Sequence, residues 1–321
     1  MEVRILLFPP ISNQKVGVET HNTTFTPPSP VAKCGMAFLG KMDYQHKIDS
    51  AIRLLRSIPT DEGPIEISYS TGKDSDVILE LAKMAGIPFV AVYKNTTIDR
   101  PGSIPHAREV GAVVKNPPKG MLEVIRQMGW PSLWKRFCCK QLKEYKVYDR
   151  AVQGIRRSES PSRAKRYKEP ETCRVYSKNE KTRVYLPILE WTDEDVEQFI
   201  SERGIKCHPH YYDADGKFHV ERRVGCLGCP MQTDKGLADF RQYPYMFKAW
   251  LRAYKFWWDS HPGSKTRQLF GDIYEAVCMK MFFHTMEEYR SVFDRGGQLF
   301  QDDVPSPKEY MESYFGIDLT I

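Results

Sequence analysis

Three groups of residues in this chain have the types and spacing for chemistry. The first is Ser70, Thr71, Gly72, Lys73, Asp74 and Ser75, which follows the strand-like run IEISY and precedes the helical pattern DVILELA. Small residues at such a turn let backbone amides approach an anion, and the helix start turns its positive end to the same place. Lys73 adds an ammonium and Ser75 a hydroxyl. The stretch is not a Walker A loop, because the residue five before Gly72 is Ile67 and the one after Lys73 is Asp74. Read alone, it is equally an ordinary strand-to-helix turn with Asp74 as the N-cap.

The second group is four cysteines. Cys138 and Cys139 are adjacent, and after a gap of 86 residues Cys226 and Cys229 end a Cys-x-x-Cys turn given room by Gly225 and Gly228. Consecutive side chains diverge, which suits tetrahedral zinc poorly and suits the separated iron corners of an iron–sulfur cluster better. A four-thiolate zinc site and unrelated buried thiols are the competing readings. Cys207, His208 and His210 form a second candidate metal group, read mainly as loop. Cys34, Cys173 and Cys278 are isolated, as small buried hydrophobes often are.

The third group is basic. The chain of 321 residues carries a net charge of +6, and the segment from Arg156 to Arg183 holds ten basic and four acidic residues, which accounts for the whole excess. An anionic ligand or nucleic acid is expected there, with a solvated basic loop as the plain alternative.

These groups need a scaffold. Apolar spacing predicts a helix over 44–58, a strand over 65–69, a helix over 77–84, a strand over 88–94, a helix over 105–110 and a strand over 112–114. That alternation is the pattern of an α/β fold with a parallel sheet and crossover helices. Helices are expected at 121–128 and 142–151, strands at VQGI and VYLPI, and a helix in WTDEDVEQFISERG with Thr192 as cap and Gly204 as stop. Aromatic, basic helices follow Cys229. The organisation expected is an N-terminal peripheral extension at 1–41, a nucleotide-binding domain at 42–235 and a C-terminal helical subdomain at 236–321. No run approaches the length of a membrane span and the start lacks a signal peptide's apolar core, so a cytoplasmic location and reduced thiols are expected.

ISYSTGKDSDVILELA resembles the pyrophosphate-binding loop of the adenine nucleotide α-hydrolase superfamily, in the Ser-x-Gly-Lys-Asp-Ser form of the phosphoadenosine phosphosulfate (PAPS) reductase family. NTTIDRPG at 95–102, GIRRSESPSR at 154–163, LPILEWTDEDV at 186–196 and HYYDADGKFHVERRVGCLGCP at 210–230 follow in that family's order. The resemblance covers roughly 42–232 and implies a three-layer α/β/α fold with a twisted, mostly parallel sheet, and a nucleotide across the carboxyl ends of the strands. It implies a nucleotide site made of Ser70 to Ser75, Thr96, Thr97, Asp99, Gly154, Arg156, Glu159, Ser160 and Arg163. Lys73, Asp74, Ser75 and Arg156 would be its catalytic members. The cysteine pattern resembles the 4Fe-4S site of adenylyl-sulfate reductases and DNA phosphorothioation proteins, with Cys138, Cys139, Cys226 and Cys229 as ligands.

The expected ligand is ATP, with Mg2+, or a sulfo-nucleotide (PAPS or adenylyl sulfate). The expected function is AMP release during iron–sulfur-assisted sulfur transfer or activation, with nucleic acid as one acceptor. Expected partners are a thiol or sulfur-donor protein and a second copy in a homodimer. Sulfo-nucleotide reduction is the alternative, yet the chain lacks the C-terminal Glu-Cys-Gly-type motif of the reductases, leaving Cys278 or a partner to supply the thiol. A non-catalytic nucleotide-binding scaffold is the remaining reading.

Overall fold

The computed structural model describes residues 43–293 and 304–321, so the expected extension at 1–41 lies outside the described residues. The chain enters through α1 (Tyr44–Arg56), β1 (Ile65–Tyr69), α2 (Lys73–Ala85), β2 (Phe89–Lys94), α3 (Ser103–Glu109) and β3 (Val113–Lys115). It continues through α4 (Met121–Met128), α5 (Phe137–Leu142), β4 (Arg150–Val152), α6 (Pro161–Arg166), β5 (Glu171–Ser177), β6 (Glu180–Tyr185) and α7 (Asp193–Arg203). The sheet runs β3-β2-β1-β4-β6-β5, parallel throughout except for the β5–β6 hairpin at its edge. This is the mostly parallel α/β fold with flanking helices that the alternation of elements predicts.

The central strand explains where a site can form. Ile65, Ile67 and Tyr69 of β1 point into the main core with Leu55, Val77, Ile78 and Leu81. Glu66 and Ser68, at the alternate positions, line an open cavity instead. Polar residues on a central parallel strand are unusual, since such strands are normally covered on both faces.

Two expected elements differ. The helix expected over 77–84, with its start near Asp74 or Ser75, begins at Lys73 with Gly72 rather than Asp74 as N-cap, so the chemistry-bearing residues Lys73, Asp74 and Ser75 form its first turn. The helix expected at 142–151 is instead the end of α5, a linker and the strand β4. Local apolar spacing there suits either element, and pairing between β1 and β6 decides it. Around α7 the reading holds: Thr192 and Asp195 form a capping box and Gly204 ends the helix in the left-handed conformation at φ 58°.

The C-terminal region is helical: α8 (Leu237–Gln242), α9 (Pro244–Ser260), α10 (Lys265–Leu269), α11 (Ile273–Phe282), α12 (Met286–Phe293) and α13 (Pro307–Phe315). Its core gathers Phe240, Phe247, Trp250, Tyr254, Cys278 and Phe315, together with Val124, Ile125, Trp130 and Leu142 from before the cysteine turn. The aromatic stripe of α9 is therefore mainly core. No helix among the described residues is long and apolar enough to cross a membrane.

Candidate functional site

The loop Ser70–Gly72 is held open by its own hydrogen bonds. Ser75 Oγ donates to the Gly72 carbonyl at 2.7 Å and accepts from the Ser70 amide at 3.2 Å. Thr71 adopts φ 61°, a left-handed conformation that a β-branched residue adopts only at a cost. The Lys73 amide, at the start of α2, donates to the buried Tyr211 hydroxyl at 3.0 Å. Gly154 packs against this turn so closely that a Cβ would lie 2.7 Å from the Asp74 carbonyl oxygen, so glycine is required by space. A cavity of about 210 Å³ opens over the loop, lined by Ser70, Gly72 to Ser75, Gly154, Glu159, Arg163, Tyr211 and Arg223.

Arg156 stands apart from that cavity's walls. It is 1 % exposed; its Nε donates to Asp74 at 2.7 Å, Nη2 to Asp193 at 2.7 Å and Nη1 to Ser158 Oγ at 3.0 Å. All three of its nitrogens are thus engaged by protein, and the arginine braces α2, α7 and the chain after β4 against each other. Lys73 Nζ lies 3.6 Å from Asp74 and 4.0 Å from Asp193. Glu159 pairs with Arg163, and burial raises the Glu159 carboxyl. Ser160 caps α6 by accepting from the Arg163 amide.

Thr96, Thr97 and Asp99 build the turn after β2. Asp99 accepts from the Thr96 amide at 2.8 Å, the Thr96 hydroxyl at 2.6 Å and the Tyr93 hydroxyl at 2.6 Å. Thr97 sits at φ 64° and its Oγ1 accepts from the Met121 amide, at the start of α4. Asp99 also faces a larger cavity of about 440 Å³, whose wall includes Ser70, Glu66, Lys94, Arg136, Cys139 and Lys143.

This turn is stitched to the second cysteine pair. Asp99 and Cys226 form an antiparallel bridge, the Leu227 amide donates to the Ile98 carbonyl at 2.7 Å, and Thr96 Oγ1 lies 3.6 Å from Cys226 Sγ. Gly228, at φ 65°, has no room for a Cβ, which would meet Phe240 at 2.3 Å. Asp239 fixes the same turn by accepting from the Gly228 amide at 3.1 Å and from Arg100 at 2.8 Å. Cys138 and Cys139 lie in the first turn of α5. The neighbouring thiol of Cys138, with Arg136 and Lys143, holds the Cys139 thiol low, while Cys139 and burial push Cys138 up. Cys229 is raised by burial and senses the charges of Cys226 and Cys139. Burial opposes the charge on Lys143, but Cys226, Asp99 and Cys139 outweigh it and hold the ammonium charged. The four thiols and Lys143 thus share one region. Among the described residues, no three His, Cys, Asp or Glu side chains stand in metal-ligating geometry.

Cys34 lies outside the described residues, and Cys173 is exposed on β5 rather than buried as its isolation suggests. Cys278 is fully buried in α11 and burial pushes its thiol up to about 12. Cys207 is buried too, and His208 accepts from the His210 amide at 3.1 Å. Tyr211, Asp193, Asp239 and Arg100 are site residues that reading the sequence missed. Tyr211 lies inside a quoted motif, but nothing local assigns its hydroxyl to a loop 138 residues away.

Residues 64–232 match the phosphoadenosine phosphosulfate reductase domain family. The sulfate adenylyltransferase subunit 2 of Agrobacterium fabrum is 27 % identical over 209 residues, 54 % of this chain and 65 % of the relative. An uncharacterized 37.8 kDa protein of Escherichia phage 186 is 32 % identical over 149 residues, 38 % of this chain and 42 % of its own length. The chain thus spans less than two thirds of the length of these two relatives. Among solved structures, PAPS reductase from Candida auris aligns with a TM-score of 0.36 at 17 % identity, over 54 % of this chain and 92 % of that one. The U34-tRNA thiolase NcsA of Methanococcus maripaludis, with its [4Fe-4S] cluster, aligns at 0.35 and 12 % identity, over 69 % and 82 %. The family match covers more than half of the chain, from the edge of β1 through the second cysteine pair, and on it the chain belongs to the phosphoadenosine phosphosulfate reductase domain family.

Proposed function

We propose that this chain is an enzyme of sulfur metabolism that holds ATP or an adenosine sulfo-nucleotide on Ser70–Ser75 and releases AMP as sulfur is transferred or activated. The observation that carries this reading is the contiguity of two cavities: Ser70 and Arg163 belong to the walls of both the loop cavity and the larger one that reaches Cys139. Phosphates would lie on the loop amides and the N-terminus of α2, with Lys73 and Arg163 supplying charge. Arg156 acts through Asp74 and Asp193 as a positioning residue. With ATP, an acceptor oxygen bonds to the α-phosphorus and pyrophosphate leaves; a sulfur nucleophile then displaces AMP, and the acceptor carries the new bond to sulfur. Mg2+ would enter with ATP, and no residue of the chain is assigned to it.

The donor set fits an iron–sulfur cluster by its chemistry: four half-buried thiols, two from α5 and two from the Cys-x-x-Cys turn, with a cation beside them. Cys138, Cys139, Cys226 and Cys229 would hold a 4Fe-4S cluster, which would supply a polarising or sulfur-handling centre at the wall of the cavity. Sulfo-nucleotide reduction is the second reading, and burial of Cys278 leaves its thiol to a partner protein. The relatives named subunit 2 suggest a partner chain as well. Anaerobic protein incubated with ATP, and separately with both sulfo-nucleotides, separates the readings. Pyrophosphate release supports the first, sulfite release with an added thiol supports the second, and binding without turnover leaves a scaffold.

A further inference from the structure

The larger cavity continues into a trough that one nucleotide does not account for. It shares Arg136, Glu144, Arg163 and Arg174 with a neighbouring cavity of about 480 Å³ beside the β5–β6 hairpin. That outer part has four arginines in its wall (Arg136, Arg163, Arg166 and Arg174) against one acid, Glu144. Arg163 is paired with Glu159, and Arg174 with Glu144 at 3.0 Å. The closest hydrogen-bond partner of Arg136 is Cys139 Sγ at 4.0 Å, and Arg166 lies over the Tyr167 ring at 5.4 Å. Arg174 lies over Tyr176, also at 5.4 Å. Two residues before Arg136, the Trp134 side chain is 92 % exposed, an indole with both faces free for a partner.

Forked guanidinium groups match phosphate diesters, and aromatic planes match bases of any sequence. An acidic peptide would use the charge but not the rings. We propose that this trough is the track of a single-stranded nucleic acid, its phosphates on Arg136, Arg166 and Arg174 and a base stacked on Trp134. The strand brings an acceptor group to the Cys139 end of the cavity. The proposal rests on the reading that the loop holds an adenine nucleotide, and it names the acceptor.

The test titrates full-length, anaerobically prepared protein into labelled single-stranded DNA, single-stranded RNA of the same sequence, the duplex and a polyglutamate peptide, at several salt concentrations. One or both single strands bind best, with log affinity falling against log salt at a slope of about −2, as three phosphate contacts on a single strand require. The double variant R166A/R174A flattens that slope and weakens binding at least about tenfold, while W134A weakens it about tenfold with the slope unchanged. Polyglutamate or duplex bound as tightly as the strands, or variants indistinguishable from the parent, would overturn the proposal. Lys73→Ala separates it from the nucleotide reading, because that change weakens ATP and sulfo-nucleotide binding and leaves the strand bound. Strand binding without any adenine nucleotide binding would sink the reading of the loop while the trough stands.

Discussion

At the scale of single residues, the pattern Gly-x-Arg-x-x-Glu-Ser suggests an arginine that clamps a ligand, whereas Arg156 spends its donors inside the protein. The two roles make opposite forecasts for substitution. Arg156→Ala strips Asp74 of its guanidinium partner and leaves a large buried volume unfilled, so a loss of stability of about 3 kcal/mol or more is expected. Arg156→Lys should not restore it, because a point ammonium cannot reach both carboxylates and a hydroxyl as the fork does. Lys73→Ala, by contrast, should cost nucleotide affinity more than stability. Urea midpoints of the three variants beside their ATP affinities check this; a fully stable Arg156→Ala that fails only in nucleotide binding would refute it. The loop itself was legible because a strand, small residues and a helix start follow one another locally in the sequence. The engagement of Arg156 was not, since its partners lie 82 and 37 residues away.

At the scale of elements, the site depends on short segments packed without spare room. The Cys-x-x-Cys turn is clamped between the Asp99 strand bridge and Phe240 of α8, and Gly228 and Gly236 are where the backbones meet. Gly228→Ala places a methyl within the Phe240 ring at a φ that only glycine adopts freely, so the turn must shift. The expected result is about 1–3 kcal/mol of lost stability and a fall in bound iron after reconstitution. Ala at Gly225, where an added Cβ meets nothing within 4 Å, is the control. Equal iron content and melting temperature in both variants would show that the turn does not position the thiols. The sequence marks the turn by its glycines, but Phe240 as the wall behind it emerges only when α8 folds back.

At the scale of the whole molecule, a buried polar layer ties α2, α3 and the segment after α7 together beneath the loop. Asp76 accepts from the Tyr69 hydroxyl and from His106 at 3.2 Å, and His208 lies edge-on to His106 at 5.9 Å. Burial first, then the charges of His106, His210 and Arg100, push His208 down to about 4 from an ordinary 6.5. Between those two pH values the unfolded chain binds a proton that the folded chain excludes, so stability is complete above about pH 6.5 and declines as pH falls toward 4. At about 1.4 kcal/mol per pKa unit this amounts to roughly 3–4 kcal/mol once pH is well below 4. His208→Gln should flatten the dependence of the urea midpoint on pH between 6.5 and 4; an identical slope in parent and variant would remove His208 as the cause.

The sequence by itself determined what depends on local order along the chain: the strand-loop-helix around Ser70–Ser75, the alternation that makes a parallel sheet, the capped α7 and the paired cysteines. Each follows from backbone preference or from residues within a turn or two of each other. Only the tertiary structure decided that β4 lies between β1 and β6, that Arg156 is a brace, that Tyr211 reaches the loop, and that the two cavities join at Ser70 and Arg163. Those outcomes rest on contacts between residues far apart in sequence, where several partners satisfy the same local pattern and close packing with satisfied hydrogen bonds selects one.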